Sequence, residues 1–570
     1  MSMRERKEVQ EVLRSRRGLI RPVAGEAKPV RPPGWMARIS WPSAVVSGLL
    51  LSSSFAPLEW SGAAWVALIP LILAVYGVPP RWLPGLGFAC GAAYWLTSIF
   101  WLTRVTVAGW LLLSLYCALY AIPFAMVVGF WLRRYGSARF LPNLGCMVAG
   151  TAVWCGSEFA RSTWFTGFPW NPLGVSQVDN AGFLSMSTWG GVYALSALVV
   201  WVNLGIGLTL LRYLSGAGAV MRRPHPEVMM AMTAVIVAFG LGLRSVREPP
   251  RLGPPSRIAL IQTNIPQDEK WDEEKFELIY TRLAELTSNA IDFTQPDLVI
   301  WPETALPDDI RFSESSYALV LDLVQRGAPI LVGSMDMVFN DDGTRSFFNS
   351  SFLFDPQGKL IDQYDKQHLV MIGEYVPWAG LMPFFRAWTP IQESFSPGRE
   401  STVMQWKDGG PRFSVLICFE DTMAYLGRNA VRKGARFLVN QTNNAWFDPS
   451  SASRQHMAIS RLRAAENRVP LIRATNTGVT CAIDAYGRIT DVLSSDDGDL
   501  LVHGFLLVDV FPAPSAMPLT FYTRYGDVFA KTCLAMTVVL MWPAAGSFRR
   551  RGGIWDASGH TDANASIMRG

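Results

Sequence analysis

Three side chains in the second half of the chain form a set with chemical capacity: Glu303 in Pro302-Glu303-Thr304, Lys366 in Tyr364-Asp365-Lys366, and Cys418 in Ile417-Cys418-Phe419-Glu420-Asp421. Glu303 and Cys418 stand just past apolar runs of strand length and Lys366 past a short strand, and in layered α/β folds sites collect where strands end and loops begin. A thiol with an ordinary pKa of about 8.5 is mostly protonated at neutral pH, whereas the thiolate is the nucleophile. A carboxylate within reach accepts that proton as a general base and returns it to the leaving group. An ammonium beside the carbonyl stabilises the oxyanion as the centre becomes tetrahedral. Base, cation and thiol are together the set that covalent acyl transfer requires. Taken singly, each has a plainer reading: Glu303 as a helix-start acid, Lys366 as a solvated strand end, Cys418 as a small buried apolar residue. No histidine is needed, and the chain has only five; His368, close to Lys366, reads as structural.

The remaining cysteines argue for nothing else. Of the seven, Cys90, Cys117, Cys146, Cys155 and Cys533 lie in apolar stretches, and only Cys418 and Cys481 fall in the polar part. No CxxC or paired Cys/His spacing occurs, so neither a metal site nor a disulfide framework is expected. Nothing resembles a phosphate-binding loop with its lysine, and no cofactor is expected.

The elements that must position these residues follow from periodicity. Beyond Pro249, Pro250, Pro254 and Pro255, which mark a linker, strand-length apolar runs lie at 257–263, 298–301, 329–333, 350–354, 413–418, 437–441, 470–475 and 501–508. Helical patterns fit 272–290, 315–326, 421–433 and 453–466. Continuous apolar strands alternating with helices predict a buried sheet covered by helices on at least one face. About 280 residues are enough for a full enzymatic core.

The first half is of another kind. Half of the 570 residues are hydrophobic, only 17% are charged, and the mean hydropathy is +0.20. These figures exclude disorder, collagen and coiled coil and indicate a polytopic membrane protein. The net charge of +5 is modest, and no basic stripe with interleaved aromatics points to nucleic acid. Apolar runs at 40–57, 62–78, 85–102, 107–132, 141–160, 189–212, 228–243 and 527–546 predict eight spans. The basic head, Arg133, Arg134, Arg139, Arg222, Arg223 and Arg549 to Arg551 then share one side, opposite Arg104 and Arg161. By the positive-inside rule both termini are cytoplasmic and the stretch from about 244 to 526 lies outside. Glu158 and Arg161 share a face of the fifth run, as a functional pair or a structural ion pair. The loop Thr166-Gly167-Phe168-Pro169-Trp170-Asn171 reads as an interfacial anchor, with a lip over an active site as the alternative.

Glu303, Lys366 and Cys418 resemble, in order and context, the Glu-Lys-Cys triad of the nitrilase superfamily, which sits on an αββα sandwich. The segments PDLVIWPETALPD, YDKQHLVMIGEYVP, ICFED, TNNAWF and RATNTGVT are similar to one branch, the apolipoprotein N-acyltransferase family, and so are SSFAPLEW, GFPWNPLGVSQ and YTRYGD in the membrane half. The resemblance implies an eight-span helical bundle carrying an inserted nitrilase-like domain. The resemblance covers about residues 40–546; with the charge pattern, the division expected is a basic cytoplasmic extension (1–38), spans one to seven (39–246), a periplasmic catalytic domain (247–526), span eight (527–546) and a cytoplasmic tail (547–570). It also implies a reaction: an acyl chain passes from the sn-1 position of a glycerophospholipid, typically phosphatidylethanolamine, to a cysteine thioester. From there it goes to the α-amino group of the S-diacylglyceryl cysteine of an apolipoprotein.

On this sequence the nucleophile would be Cys418, the base Glu303 and the oxyanion partner Lys366. Glu374 matches a family glutamate supporting the lysine, Glu420 a second required acid, and Trp271 a tryptophan near the substrate entrance. Trp446 and Trp170 match aromatic positions that meet lipid, and Asn443 lies in the matched TNNAWF segment. Departures are Phe419 where the family often has Tyr, Asn444 where it often has Asp, and Met371-Ile372 in place of Pro-Phe. The partners implied are a phospholipid donor, a diacylglyceryl apolipoprotein acceptor and the bilayer of a bacterial inner membrane, with a monomer expected. Two other readings are a membrane-tethered amidase using the same triad with water as acceptor, and a catalytically silent envelope protein.

Overall fold

Apolar runs of the first half become helices because no water is required to satisfy their backbone. The computed structural model describes residues 34–214, 225–247, 253–371, 373–375 and 394–549. The basic head up to residue 33, Arg222, Arg223, Pro249, Pro250, Ile372 and the tail from 550 lie outside the described residues. Helices α1 (Gly34–Ser53), α2 (Ile69–Gly77), α3 (Leu83–Ser98), α4 (Val107–Ala118), α5 (Ile122–Tyr135), α6 (Phe140–Thr163), α7 (Val192–Leu214) and α8 (Pro226–Arg247) cover the first seven runs. A helix at Val528–Arg549 covers the last and packs on α6, where Gly156 leaves room for its backbone: a side chain there would meet the Cys533 carbonyl at 2.8 Å.

Among the described residues, four helices are long and apolar enough to cross a membrane: Val107–Tyr135, Val192–Leu214, Pro226–Val246 and Val528–Ala545. The expected eight is therefore met in part. The others fall short for visible reasons: α2 has 9 residues and α3 has 16, α1 carries Arg38 and Pro42, and α6 carries Asn143, Glu158 and Arg161.

The second half is a four-layer sandwich. In chain order it contains β1 (Ser256–Gln262), α9 (Phe276–Thr294), β2 (Leu298–Ile300), α10 (Glu314–Val324), β3 (Ile330–Phe339), β4 (Arg345–Phe354) and β5 (Leu360–Asp365). Then follow β6 (Phe413–Ile417), α11 (Ala424–Lys433), β7 (Phe437–Thr442), α12 (Ala452–Asn467), β8 (Leu471–Thr475), β9 (Cys481–Ile483), β10 (Ile489–Val492) and β11 (Gly504–Val510), with α13 the helix at Val528–Arg549. One sheet has the order β11-β1-β2-β3-β4-β5 and the other β10-β9-β8-β7-β6. The strands nearest the site, β1-β2-β3 and β6-β7-β8, run parallel.

The two-residue period of a strand assigns each side chain to a layer. Ile258 and Leu260 of β1 pack with Val415, Ile417 and Val439 between the sheets, whereas Ala259 and Ile261 pack with Ile279 and Leu283 of α9. Leu416 and Leu438 face outward to Leu426 and Ala430 of α11. Expectation and outcome differ in the β3-β4 hairpin, which runs twice as far as its apolar stretches: its outer half buries Asp336, whose carboxylate accepts from Arg311 Nε at 2.5 Å. The short strands β9 and β10 were not expected from the pattern. Helix α12 leaves the sandwich on one face, and Ala452, Ile459, Leu462 and Ala465 join the core of the helical bundle.

Candidate active site

Four loops at the carboxyl ends of β2, β5, β6 and β7 converge. Glu303 follows β2 in a tight bend with Thr304 at φ +42°, and a side chain on Gly333 of the adjacent strand would run into the Pro302 carbonyl, so glycine is required there. Lys366 follows β5, anchored by its N–H to the Asn349 carbonyl at 2.9 Å. Cys418 follows β6 at φ +55°, a conformation few non-glycine residues adopt and one that concentrates at functional positions. The turn is held by Glu420, whose Oε2 accepts from Ile417 N at 2.7 Å, and by Asn440, whose amide donates to the Cys418 carbonyl at 3.1 Å.

The charged groups meet directly. Lys366 Nζ donates to Glu374 Oε1 at 2.7 Å and to Glu303 Oε1 at 3.4 Å. The other Glu303 oxygen accepts from the backbone N–H of Asn443 at 2.8 Å, and Asn349 Nδ2 donates to Glu303 at 2.9 Å and to Glu374 at 3.3 Å. Glu374 also accepts from Val370 N at 2.8 Å. Burial alone would depress Lys366, but Glu374 and Glu303 raise it above the ordinary lysine value and keep it charged. Burial, and then the Glu303 charge, push the Cys418 thiol up to about 12, partly offset by Lys366 and by a hydrogen bond with Thr442. The resting group is therefore a neutral thiol whose surroundings hold both a proton acceptor and a cation.

The other expected residues divide by position. Asn443 is buried and links the Glu303 loop to Gln267 and Asn476, at 3.0 and 2.9 Å. Glu420 is fully buried and also accepts from Gln367 N at 2.7 Å, His368 N at 3.0 Å and Tyr364 Oη at 2.8 Å, bracing the lysine loop against the cysteine turn. Burial raises it to about 7 against those bonds. Trp271 and Trp446 are each about two-fifths exposed (42% and 43%). Trp170 is only 3% exposed, held by a 2.7 Å bond to Gln455 and a parallel contact with Phe419. The loop containing it is no simple interfacial anchor. Glu158 and Arg161 each bond this loop, through Leu173 N at 2.7 Å and the Trp170 carbonyl at 2.9 Å, and no ion pair links them among the described residues. His368 is pushed down to about 4 by burial and Lys366, which leaves it neutral at neutral pH.

Several residues escaped the sequence reading. Lys270 sits in QDEKWDEEK, a charge run that reads as a solvated face, yet it is 3% exposed and donates to the Glu303 carbonyl at 3.1 Å. Burial lowers it to about 8, opposed chiefly by the charge of Glu303. Asn349, inside β4, carries no spacing signal at all. His456, Ser460 and Arg473 converge on Asp421 beneath the cysteine turn, with His456 Nε2 and Arg473 Nη1 each 2.6 Å from its carboxylate. Only their position in helical and strand patterns could have brought them together.

Comparison with known proteins agrees with this geometry. Residues 47–205 match the apolipoprotein N-acyltransferase N-terminal domain and residues 257–505 match the carbon-nitrogen hydrolase family, so the sandwich is a nitrilase-like fold. The apolipoprotein N-acyltransferase of Geobacter metallireducens is 36% identical over 529 residues, covering 89% of this chain and 95% of that protein. Its counterpart in Chlorobaculum tepidum is 30% identical over 534 residues, covering 88% and 96%. The crystal structure of Saccharomyces cerevisiae Nit3, a member of branch 10 of the nitrilase superfamily, aligns with 46% of this chain and 92% of its own at 20% identity and a TM-score of 0.34. With near-complete coverage of both relatives at these identities, the chain belongs to the apolipoprotein N-acyltransferase family.

Proposed function

We propose that this membrane acyltransferase N-acylates apolipoproteins through a thioester on Cys418. Glu303 takes the Sγ proton as the sulfur attacks the sn-1 ester carbonyl of a phospholipid, typically phosphatidylethanolamine. Lys366 stabilises the tetrahedral oxyanion, the C–O bond breaks, and Glu303 returns the proton to the lysophospholipid oxygen. The α-amino group of the diacylglyceryl cysteine then attacks the thioester carbonyl, loses its proton to Glu303, and leaves as the amide while the thiol is restored. Atoms balance without ATP or a redox partner. Glu374 holds Lys366, Glu420 and Asn443 fix the loops, and Trp271 and Trp446 flank the entrance.

The reading rests chiefly on one observation: a thiol at φ +55° at a strand end, beside a buried ammonium shared by two carboxylates. Exposing a C16 chain to water costs on the order of 10 kcal/mol, at about 0.8 per methylene. A site held to the bilayer by helices on both sides of its domain avoids that cost. We assign eight spans, both termini to the cytoplasm, the catalytic domain (247–526) to the periplasmic side of a bacterial inner membrane, and a monomer. The names of the relatives favour transfer over the amidase reading.

The test is intact-mass spectrometry after incubation with phosphatidylethanolamine and no acceptor. The wild type gains one acyl chain that hydroxylamine removes, and Cys418→Ala gains none. A thioester on Cys481, or fatty acid release with no N-acylated product once a diacylglyceryl lipopeptide is added, overturns the assignment.

A further inference from the structure

Gln455 belongs to α12 of the catalytic domain, yet the helical bundle uses its whole side-chain amide. Its Oε1 accepts from Trp101 Nε1 at 3.0 Å and Trp170 Nε1 at 2.7 Å. Its Nε2 donates to the carbonyls of Ala56 at 2.7 Å and Ser98 at 3.0 Å. The residue is 2% exposed. An amide with both lone pairs and both N–H groups satisfied out of water fixes its partners, because displacing any of them strands a buried polar group.

One partner leads to the nucleophile. The Trp170 indole lies 4° from parallel with the ring of Phe419, the residue after Cys418, with centroids 6.2 Å apart. Phe168 is 10° from Trp170 at 6.0 Å and 14° from Phe419 at 6.4 Å, and His368 extends the row 6.1 Å from Phe419. Spacings of this kind are those of offset aromatic stacking. The next residue, His456, ties the same helix turn to Asp421 at 2.6 Å and Asn444 at 3.3 Å, and its ring lies 5.6 Å from Trp170. Bundle loop, cysteine turn and the Asn443-Asn444 loop therefore meet at two successive residues.

We propose that Gln455 is a positioning residue: by holding Trp170 parallel to Phe419 it builds an apolar wall beside Cys418, and this wall sets which acyl chains the enzyme accepts. The inference deepens the proposed function and rests on Cys418 being the acyl carrier. A chain on Sγ must leave along an apolar path, and its methylenes lie against the ring faces flanking the sulfur. Tilting Trp170 forfeits more contact for a long chain than for a short one.

The experiment compares wild type, Gln455→Leu and Trp170→Phe, full-length in detergent micelles, with phosphatidylethanolamine carrying C16 or C8 chains. The readout is the rate of acyl-enzyme formation by intact mass. Gln455→Leu is expected to slow C16 acylation about tenfold and C8 acylation by less than roughly threefold, the scale of the one hydrogen bond, of the four lost, that orients Trp170. Trp170→Phe keeps a ring but loses the indole N–H, and shifts the C16/C8 ratio the same way by about threefold. The double variant falls no further than Gln455→Leu, as expected for two residues in one interaction. A purely structural lesion slows both chains alike, so an unchanged ratio in folded variants overturns the inference and leaves the function intact. If Gln455→Leu does not fold, the ratio in Trp170→Phe decides. A wild type that forms no thioester with either donor sinks the function reading and this inference with it.

Discussion

The bundle and the catalytic domain both bury charge, but they dispose of it differently. In the bundle, Glu158 accepts from Trp154 Nε1 at 2.9 Å and Leu173 N at 2.7 Å, and Arg161 donates to the Phe168 and Trp170 carbonyls with its guanidinium 4.5 Å from the Trp95 ring centroid. Arg212 and Glu227 form an ion pair, with Asn143 donating to Glu227 at 2.7 Å and to the Ser137 carbonyl at 3.0 Å. These groups tie one segment to the next. In the catalytic domain, by contrast, two carboxylates share the Lys366 ammonium, and of its three N–H groups two are engaged among the described residues. Buried charges bonded to backbone or paired with one another across segments fasten a fold, whereas charges shared beside a nucleophile at positive φ retain capacity for a reaction.

Substitutions separate the two kinds. The largest effect is expected at Cys418→Ala: acyl-enzyme formation falls by on the order of 10⁴ or more, the scale for removing a nucleophile, while the melting temperature is unchanged. Next, Lys366→Met leaves Glu303 and Glu374 facing each other without their cation. It should cut the acylation rate about 10³-fold, and cost about 3–5 kcal/mol of stability, as for any broken buried pair. Arg212→Met provides the control from the bundle. It breaks a buried pair at a similar cost of about 3 kcal/mol, read by thermal unfolding, but the folded fraction should acylate within about twofold of wild type. Equal loss of rate in both variants would erase the distinction.

The parts legible in the sequence were those set by abrupt changes of pattern. LVIWPET and ICFED each end an apolar run in polar residues, so those strand ends stood out, and the lysine of YDK past a short strand completed the set. The outer half of the β3-β4 hairpin did not, because Asp336 and Asn349 are polar at positions made acceptable by distant partners, Arg311 and Gln363 for the one and Glu303 and Glu374 for the other. Gln455 and Lys270 stood in stretches rich in charge, where burial arises only from packing on distant segments. An aromatic, turn-rich loop at a helix end reads the same whether it lies in lipid headgroups or, as with Trp170, against the residue next to the nucleophile. The number of spans has a similar origin: four helices are long and apolar throughout, and α6 is less apolar because it carries the polar residues that hold the loop.

A milder effect concerns pH. Lys270, lowered to about 8 by burial against the opposing charge of Glu303, loses its proton as pH rises through 8. If its charge assists the attack, acylation declines there by up to about tenfold. Lys270→Arg, charged throughout, abolishes the decline. Stability moves the other way: a lysine depressed in the folded state leaves the unfolded chain binding more protons between about 8 and 10.5, so the melting temperature rises over that window. A rate that climbs through pH 8–10 in both proteins would make Lys270 a spectator. The smallest effect is expected at Glu158→Gln, which keeps an oxygen for Trp154 and Leu173. Stability should change by about 1 kcal/mol or less and the acylation rate by less than about twofold. This is the sharpest probe of the comparison, because the substitution removes a buried charge and little else. A fall in rate of more than about tenfold without loss of stability would move this bundle carboxylate into the chemistry and dissolve the division between the two regions.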